Sequence, residues 1–153
     1  RLARSAADRG VVVPRLINRY DQSIDDMGRL VLPSSHRERY ADGAVLANRG
    51  DHIAIYEPGA WDAFVGQLSE KRAAGEISRM EFNLVLMNAA DPKPDSAGRI
   101  LIPGWMRAEL ELGREVLVTG AGDYLAIYPR DFVERLADGD RTAAFAKIDA
   151  MGL

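Results

Sequence analysis

The sequence predicts an α+β fold made of two copies of one half-domain with a helical pair between them. Three observations lead there. Residues 25–33 (Asp25-Asp26-Met27-Gly28-Arg29-Leu30-Val31-Leu32-Pro33) recur at 95–103 (Asp95-Ser96-Ala97-Gly98-Arg99-Ile100-Leu101-Ile102-Pro103), with Asp, Gly, Arg and Pro each displaced by 70 positions. After each phrase come a short helical pattern and two strand-like runs separated by a turn. Each copy then closes on a helix with an aromatic-led apolar face.

Taken in order, residues 1–17 form a basic arm. The first twenty residues carry Arg1, Arg4, Arg9, Arg15 and Arg19 against Asp8, a local charge of +4 in a chain whose total is −3, so the remainder is −7. The arm lacks periodicity before Val11-Val12-Val13 and reads as mobile, either an unstructured extension or a source of phosphate contacts. The chain opens on Arg1 rather than Met, as expected of a trimmed or processed chain.

The first half, 18–69, begins with the Asp25–Arg29 turn. A short helix follows Pro33, with capping-box spacing from Ser35 to Glu38 and an end at Gly43. Strands at 44–47 and 53–56 flank the turn Asn48-Arg49-Gly50-Asp51. A helix then carries Trp61, Phe64, Val65 and Leu68 on one face, a pattern expected of core packing. Helices are expected over 59–73 and 76–90, punctuated by Gly75, so that 70–90 links the halves. Ile77, Met80, Leu84 and Met87 share a face that packs on the core or on a neighbouring subunit.

The second half, 91–137, starts with Pro92 and Pro94. These remove backbone donors from one side, so this segment must be a sheet edge or loosely paired. Its turn, its short helix (ending at Gly113) and its strand at 115–119 repeat the first half. The strand at 125–128 is displaced by 72 from its counterpart, two residues having entered the preceding loop. Phe132, Val133 and Leu136 form the closing apolar face, and 138–153 is a C-terminal segment.

Composition excludes several function classes. At 153 residues, 47% hydrophobic and 28% charged, the chain matches an ordinary globular domain. No apolar run approaches a membrane span. Without cysteine there is neither disulfide nor thiolate metal site, in keeping with a reducing cytosol. His36 and His52 lack a ligand-like pattern. There is no Gly-rich phosphate loop and no Ser-His-Asp set. The carboxylate pairs Asp25/Asp26 and Asp91/Asp95 have no further residue to make them catalytic. We therefore expect no enzyme activity, no cofactor, no metal and no small-molecule substrate.

The repeated turn is the candidate site. Gly28 and Gly98 permit positive φ, and Asp25 and Asp95 can accept from turn amides or pair with the Arg four residues on. Such a pairing is either a structural staple or a means of aiming Arg29 and Arg99, whose planar forks suit guanine O6/N7 or a phosphate. Arg19, Arg37 and Arg107 are candidates for further phosphate contacts, the last two equally readable as solvated helix faces.

Two Asp-x-x-Gly-Arg turns, each leading into an apolar triplet, Pro, a short helix and strands ending in Ile-Tyr, resemble the MraZ family over residues 19–137. The resemblance implies a pseudo-two-fold monomer of two tandem AbrB-like swapped-hairpin β-barrels. It implies a cytoplasmic, nucleoid-associated transcriptional regulator, acting as a homo-oligomeric ring on repeated double-stranded DNA boxes upstream of the division and cell-wall gene cluster. By position, the DNA-binding motif is Asp25 with Arg29 and Asp95 with Arg99. Met27 stands where the family usually has Lys, removing a phosphate-binding charge. The Pro92/Pro94 pair replaces an alternating strand, and the N-terminal extension exceeds the family norm. An alternative is a protein-interaction module, antitoxin-like or scaffolding. AbrB-type antitoxins usually carry one barrel and a long disordered tail, whereas this chain carries two copies.

Overall fold

The computed structural model describes residues 16–136 and 138–152. Most of the basic arm, residues 1–15, lies outside them. Leu16 is already core: it is buried, and its backbone bridges Gly122. The described elements run β1 (Arg19–Ser23), β2 (Arg29–Val31), a 3-10 helix (Arg37–Tyr40), β3 (Val45–Asn48), β4 (Ile53–Tyr56), α1 (Pro58–Ala73), α2 (Arg79–Met87) and β5 (Ala89–Ala90). The second half continues with β6 (Arg99–Leu101), α3 (Gly104–Glu109), β7 (Glu115–Gly120), β8 (Leu125–Pro129), α4 (Phe132–Arg135) and α5 (Asp138–Ala150). The fold is α+β, and no helix among the described residues is long and apolar enough to cross a membrane.

The halves are interlocked rather than side by side. One antiparallel sheet runs β1-β7-β8-β4-β3-β5, and β2 pairs with β6 in a separate two-stranded ribbon. Strands cross between the copies: β1 pairs with β7, and β5, which lies 70 positions on from the start of β1 and so outside the expected bounds of the second half, pairs with β3. At the sheet centre Ala54 faces its counterpart Ala126, and in the ribbon Leu30 faces its counterpart Ile100. A pseudo-two-fold axis therefore passes through both. The core is common property, with Leu30, Leu32, Leu46, Ile53 and Ile55 packed against Ile100, Ile102, Val116, Val118, Leu125 and Ile127. Tyr40 is enclosed in it, its hydroxyl donating to Ile55 O at 2.7 Å, and desolvation raises its pKa.

On the other sheet face, Trp61 and Phe64 of α1 pack against Tyr56, each with ring centroids 5.5 Å away. Phe132 stacks on Tyr128 at 3.8 Å. Trp61 and Phe64 are half-buried against the second, smaller apolar cluster, whereas Val65, Leu68, Phe132 and Val133 belong to neither cluster and Leu136 is exposed, so only the head of the α1 face packs as expected.

Several local expectations are corrected. The helix expected over 76–90 is shorter: α2 begins after Ser78, whose side chain accepts from Glu81 N while Glu81 accepts from Ser78 N. That is a capping box, which overrides helix propensity at 76–78. Gly75, at φ 77°, ends α1 just before it. At the far end, Asn88 caps Leu84 O and Ala89–Ala90 become β5. The capping box expected at Ser35 is absent. The Ser35 hydroxyl instead bonds that of Tyr20 at 2.9 Å, and the 3-10 helix starts at Arg37 without a side-chain cap. The segment with Pro92 and Pro94 is not itself a strand: β5 ends at Ala90, at the sheet edge beside β3, and the chain leaves the sheet over 91–95 because the prolines supply no backbone donors.

The stripe Ile77, Met80, Leu84 and Met87 does not reach the core. Phe82 is the α2 residue that packs, with the Arg72 guanidinium 4.3 Å over its ring. Met80, Leu84 and Met87 remain exposed. The C-terminal segment holds α5, a helix not expected there from the sequence, and Phe145, Ile148 and Met151 of this segment are likewise exposed.

Candidate nucleic-acid interface

Each repeated turn is held by its aspartate in the same way. Asp25 Oδ1 accepts from the backbone N–H of Met27 and of Arg29, both at 2.9 Å, while Oδ2 accepts from Arg29 Nε at 2.9 Å. Asp95 repeats this with Ala97 N and Arg99 N at 2.9 Å and Arg99 Nε at 2.8 Å. The two roles left open for these aspartates are filled at once. Gly28 and Gly98 close the turns at φ 84° and 74°, and each donates to its own aspartate carbonyl at 2.9 Å.

These contacts favour the ionised carboxylates. Asp25 and Asp95 are held below their ordinary pKa, first by the backbone N–H of Arg29 and Arg99, against a smaller opposing desolvation and with help from the guanidinium itself. Because the folded pKa is depressed, the stabilisation is complete above the unfolded value and is lost as pH falls through the folded one. In carbon-detected carboxyl titrations, both residues are expected to show midpoints below an ordinary aspartate. The Met27, Arg29, Ala97 and Arg99 amides should shift with the same midpoints.

The turns lead into the ribbon, whose alternation sets what faces outward. Leu30, Leu32, Ile100 and Ile102 point into the core. Arg29, Val31, Arg99 and Leu101 therefore share the outer face, with Arg29 opposite Leu101 and Val31 opposite Arg99. The arginines occupy one diagonal of this four-residue patch, with Cα atoms about 8 Å apart by strand spacing. Each Nε is held by carboxylate, no partner is seen for the Nη groups among the described residues, and the side chains are about one-third exposed, which leaves the terminal fork of each guanidinium able to donate. That fork is the part that can donate twice to one acceptor pair.

Arg37 and Arg107 take a different place from a solvated helix face. Arg37 Nη2 donates to Leu32 O at 3.1 Å and Arg107 Nε to Ile102 O at 3.2 Å, both from half-buried positions. Each also crosses to the other half: a Cβ on Gly98 would overlap the Arg37 side chain, and one on Gly28 would meet Arg107 Nη2 at 3.0 Å. They support the turns from beneath. Arg19 is not brought to this patch, because it lies at the end of β1 remote from the first turn, in a groove with Asp21, Arg130 and Glu134. Arg114 is, and it escaped the sequence reading: its Nη1 donates to Asp26 at 2.9 Å beside the first turn. Its counterpart in the first half is Ala44, so the repeat gave no signal for it.

Comparison with known proteins agrees with the duplicated architecture. The family model described as "MraZ protein, putative antitoxin-like" matches twice, over residues 16–82 and 85–152. The chain is similar to the transcriptional regulator MraZ of Paenarthrobacter aurescens, 34% identical over 82% of this chain and 88% of the relative. It is similar also to that of Roseiflexus castenholzii, 31% identical over 84% and 91%. The Neisseria meningitidis regulator of the same name is 30% identical over 82% and 91%. With both halves matched by one family model and such relatives aligned along most of its length, the chain belongs to the MraZ family.

Proposed function

We propose that this protein is a sequence-specific DNA-binding transcriptional regulator, without catalytic turnover, whose β2–β6 ribbon enters the major groove. The carrying observation is the pair of outward guanidinium forks, each aimed by an aspartate that also holds its own turn. A two-stranded ribbon fits the major groove, and a bidentate guanidinium reads guanine there. Arg29 and Arg99, related by the pseudo-two-fold axis, contact one base each, Asp25 and Asp95 aim them, and Arg37 and Arg107 support the turns. The name carried by the relatives supports the regulatory reading.

An acidic chain needs its basic groups gathered to bind DNA. Around the two turns, Arg29, Arg37, Arg99, Arg107 and Arg114 outnumber Asp25, Asp26 and Asp95 by two charges. In the same proposal a homo-oligomeric ring of AbrB-like swapped-hairpin units repeats this patch, so that weak contacts add along repeated boxes in the promoter of the division and cell-wall gene cluster. The strand exchange between halves supports the swapped arrangement. The exposed apolar faces of α2 and α5 support assembly.

Fluorescence anisotropy on a duplex from upstream of the protein's own gene, across a salt series, tests the proposal, with sedimentation giving the oligomer mass. Binding that exceeds that of a scrambled duplex is expected, by an assembly of several chains. Equal binding to both duplexes at every salt concentration would leave the protein-interaction reading in its place.

A further inference from the structure

Between the two arginines, the outer face of the ribbon carries apolar side chains that core packing does not use. Val31 is 39% exposed and Leu101 52%. They lie on the second diagonal of the patch, each directly across the ladder from an arginine. Directly opposed side chains in an antiparallel pair have Cβ atoms about 4.5–5.5 Å apart. Each arginine side chain therefore leaves the ladder beside an exposed hydrocarbon side chain.

Such a surface suits neither solvent nor an apolar protein partner. Burying it against hydrocarbon would also bury Arg29, Arg99 and their aspartates, at a desolvation cost that one Val and one Leu cannot offset. The major-groove floor is different, since it alternates acceptor edges with methyl groups. Guanine offers O6 and N7 to a fork, and thymine offers its C5 methyl group to an apolar side chain. Base steps are about 3.4 Å apart along one strand, so a fork on guanine brings its neighbour across the ladder over the adjoining base step.

We propose that Val31 and Leu101 are specificity-determining residues that contact the C5 methyl group of thymine within one base step of each guanine read by Arg99 and Arg29. The proposal rests on the reading of the ribbon as the DNA-binding surface. It assigns the protein a preference for guanine–thymine neighbours, with the methyl group itself as a recognised feature.

The test separates the two readings. The full chain is used to select duplexes from a randomised library, and each thymine of the recovered site is then replaced singly by deoxyuridine, which lacks only the methyl group. At thymines next to the guanines whose preference disappears in Arg29→Ala or Arg99→Ala, the replacement should weaken wild-type binding about three- to fourfold, the worth of one buried methyl-sized group. A Val31→Ser/Leu101→Ser variant should no longer distinguish thymine from deoxyuridine at those positions. If wild type binds both duplexes alike at every position, or the serine variant still tells them apart, the methyl contact is overturned while DNA recognition by the arginines stands. If the library yields no enriched duplex, sequence-specific binding falls and the methyl contact with it.

Discussion

Replacing Arg29 and Arg99 together by alanine is expected to abolish discrimination between the cognate and a scrambled duplex while leaving the oligomer and its stability nearly intact. A bidentate base contact is worth about 1–3 kcal/mol, and the pseudo-two-fold arrangement removes two of them per chain. In the proposed assembly on repeated boxes the losses would accumulate. Each single variant should lose a comparable share, because the two turns are held by the same set of bonds. Stability should fall little. The Asp25–Arg29 and Asp95–Arg99 pairs are exposed enough for solvent to screen them, and such ion pairs contribute little to stability. The backbone bonds from residues 27, 29, 97 and 99 to the aspartates survive the substitution. A purely structural staple predicts the reverse, lower thermal stability with unchanged DNA preference. Anisotropy, melting temperature and sedimentation mass measured on the same preparations decide between them.

Substituting Gly98 by alanine should produce the largest loss of stability from a single methyl group at the site. Two costs coincide there. Gly98 has φ 74°, where an L side chain is disfavoured, at about 1–2 kcal/mol. The new Cβ would also overlap the Arg37 side chain. Arg37 Nε is enclosed without a hydrogen-bond partner, so the side chain has little room to retreat without losing its bond to Leu32 O. A fall in melting temperature of about 4–8 °C follows for a loss of roughly 2 kcal/mol in a domain of this size. Gly28→Ala carries the same backbone cost at φ 84° but its tightest contact is the far end of Arg107, at 3.0 Å, with Ile102 O at an ordinary 3.4 Å. Its melting temperature should lie between those of wild type and Gly98→Ala. Equal melting temperatures for the two variants would show that Arg37 and Arg107 move aside with equal ease.

What could be read in the sequence divides by range. The Asp–Arg turns are closed by bonds that reach no further than four residues, so Asp25, Gly28 and Arg29, and their counterparts at 95, 98 and 99, carry the whole motif locally. The strands β3, β4, β7 and β8 were legible for the same reason, as short apolar runs between turn residues. Short-range reading went wrong where two local signals competed. Ser35 and Ser78 both have a glutamate three residues on, but only Ser78 forms the box, because Tyr20 from another strand occupies the Ser35 hydroxyl. No periodicity in residues 35–38 reports the arrival of Tyr20.

Two equivalent turns, each with an arginine beside its own aspartate, are encoded locally in the chain. The offset of 70 positions states the duplication, and bonds within four residues enforce the geometry. Long-range packing pairs β2 with β6, which puts both arginines on one diagonal of one surface. Likewise it alone set Arg37 beneath Gly98 and Arg107 beneath Gly28, and left the α2 stripe outside the core. The physical reason is that an alternating strand specifies which face it buries but not which strand it joins. That choice rests on the shared packing of Leu30, Leu32, Ile100 and Ile102, residues far apart in the chain, whose fit is a property of the assembled core.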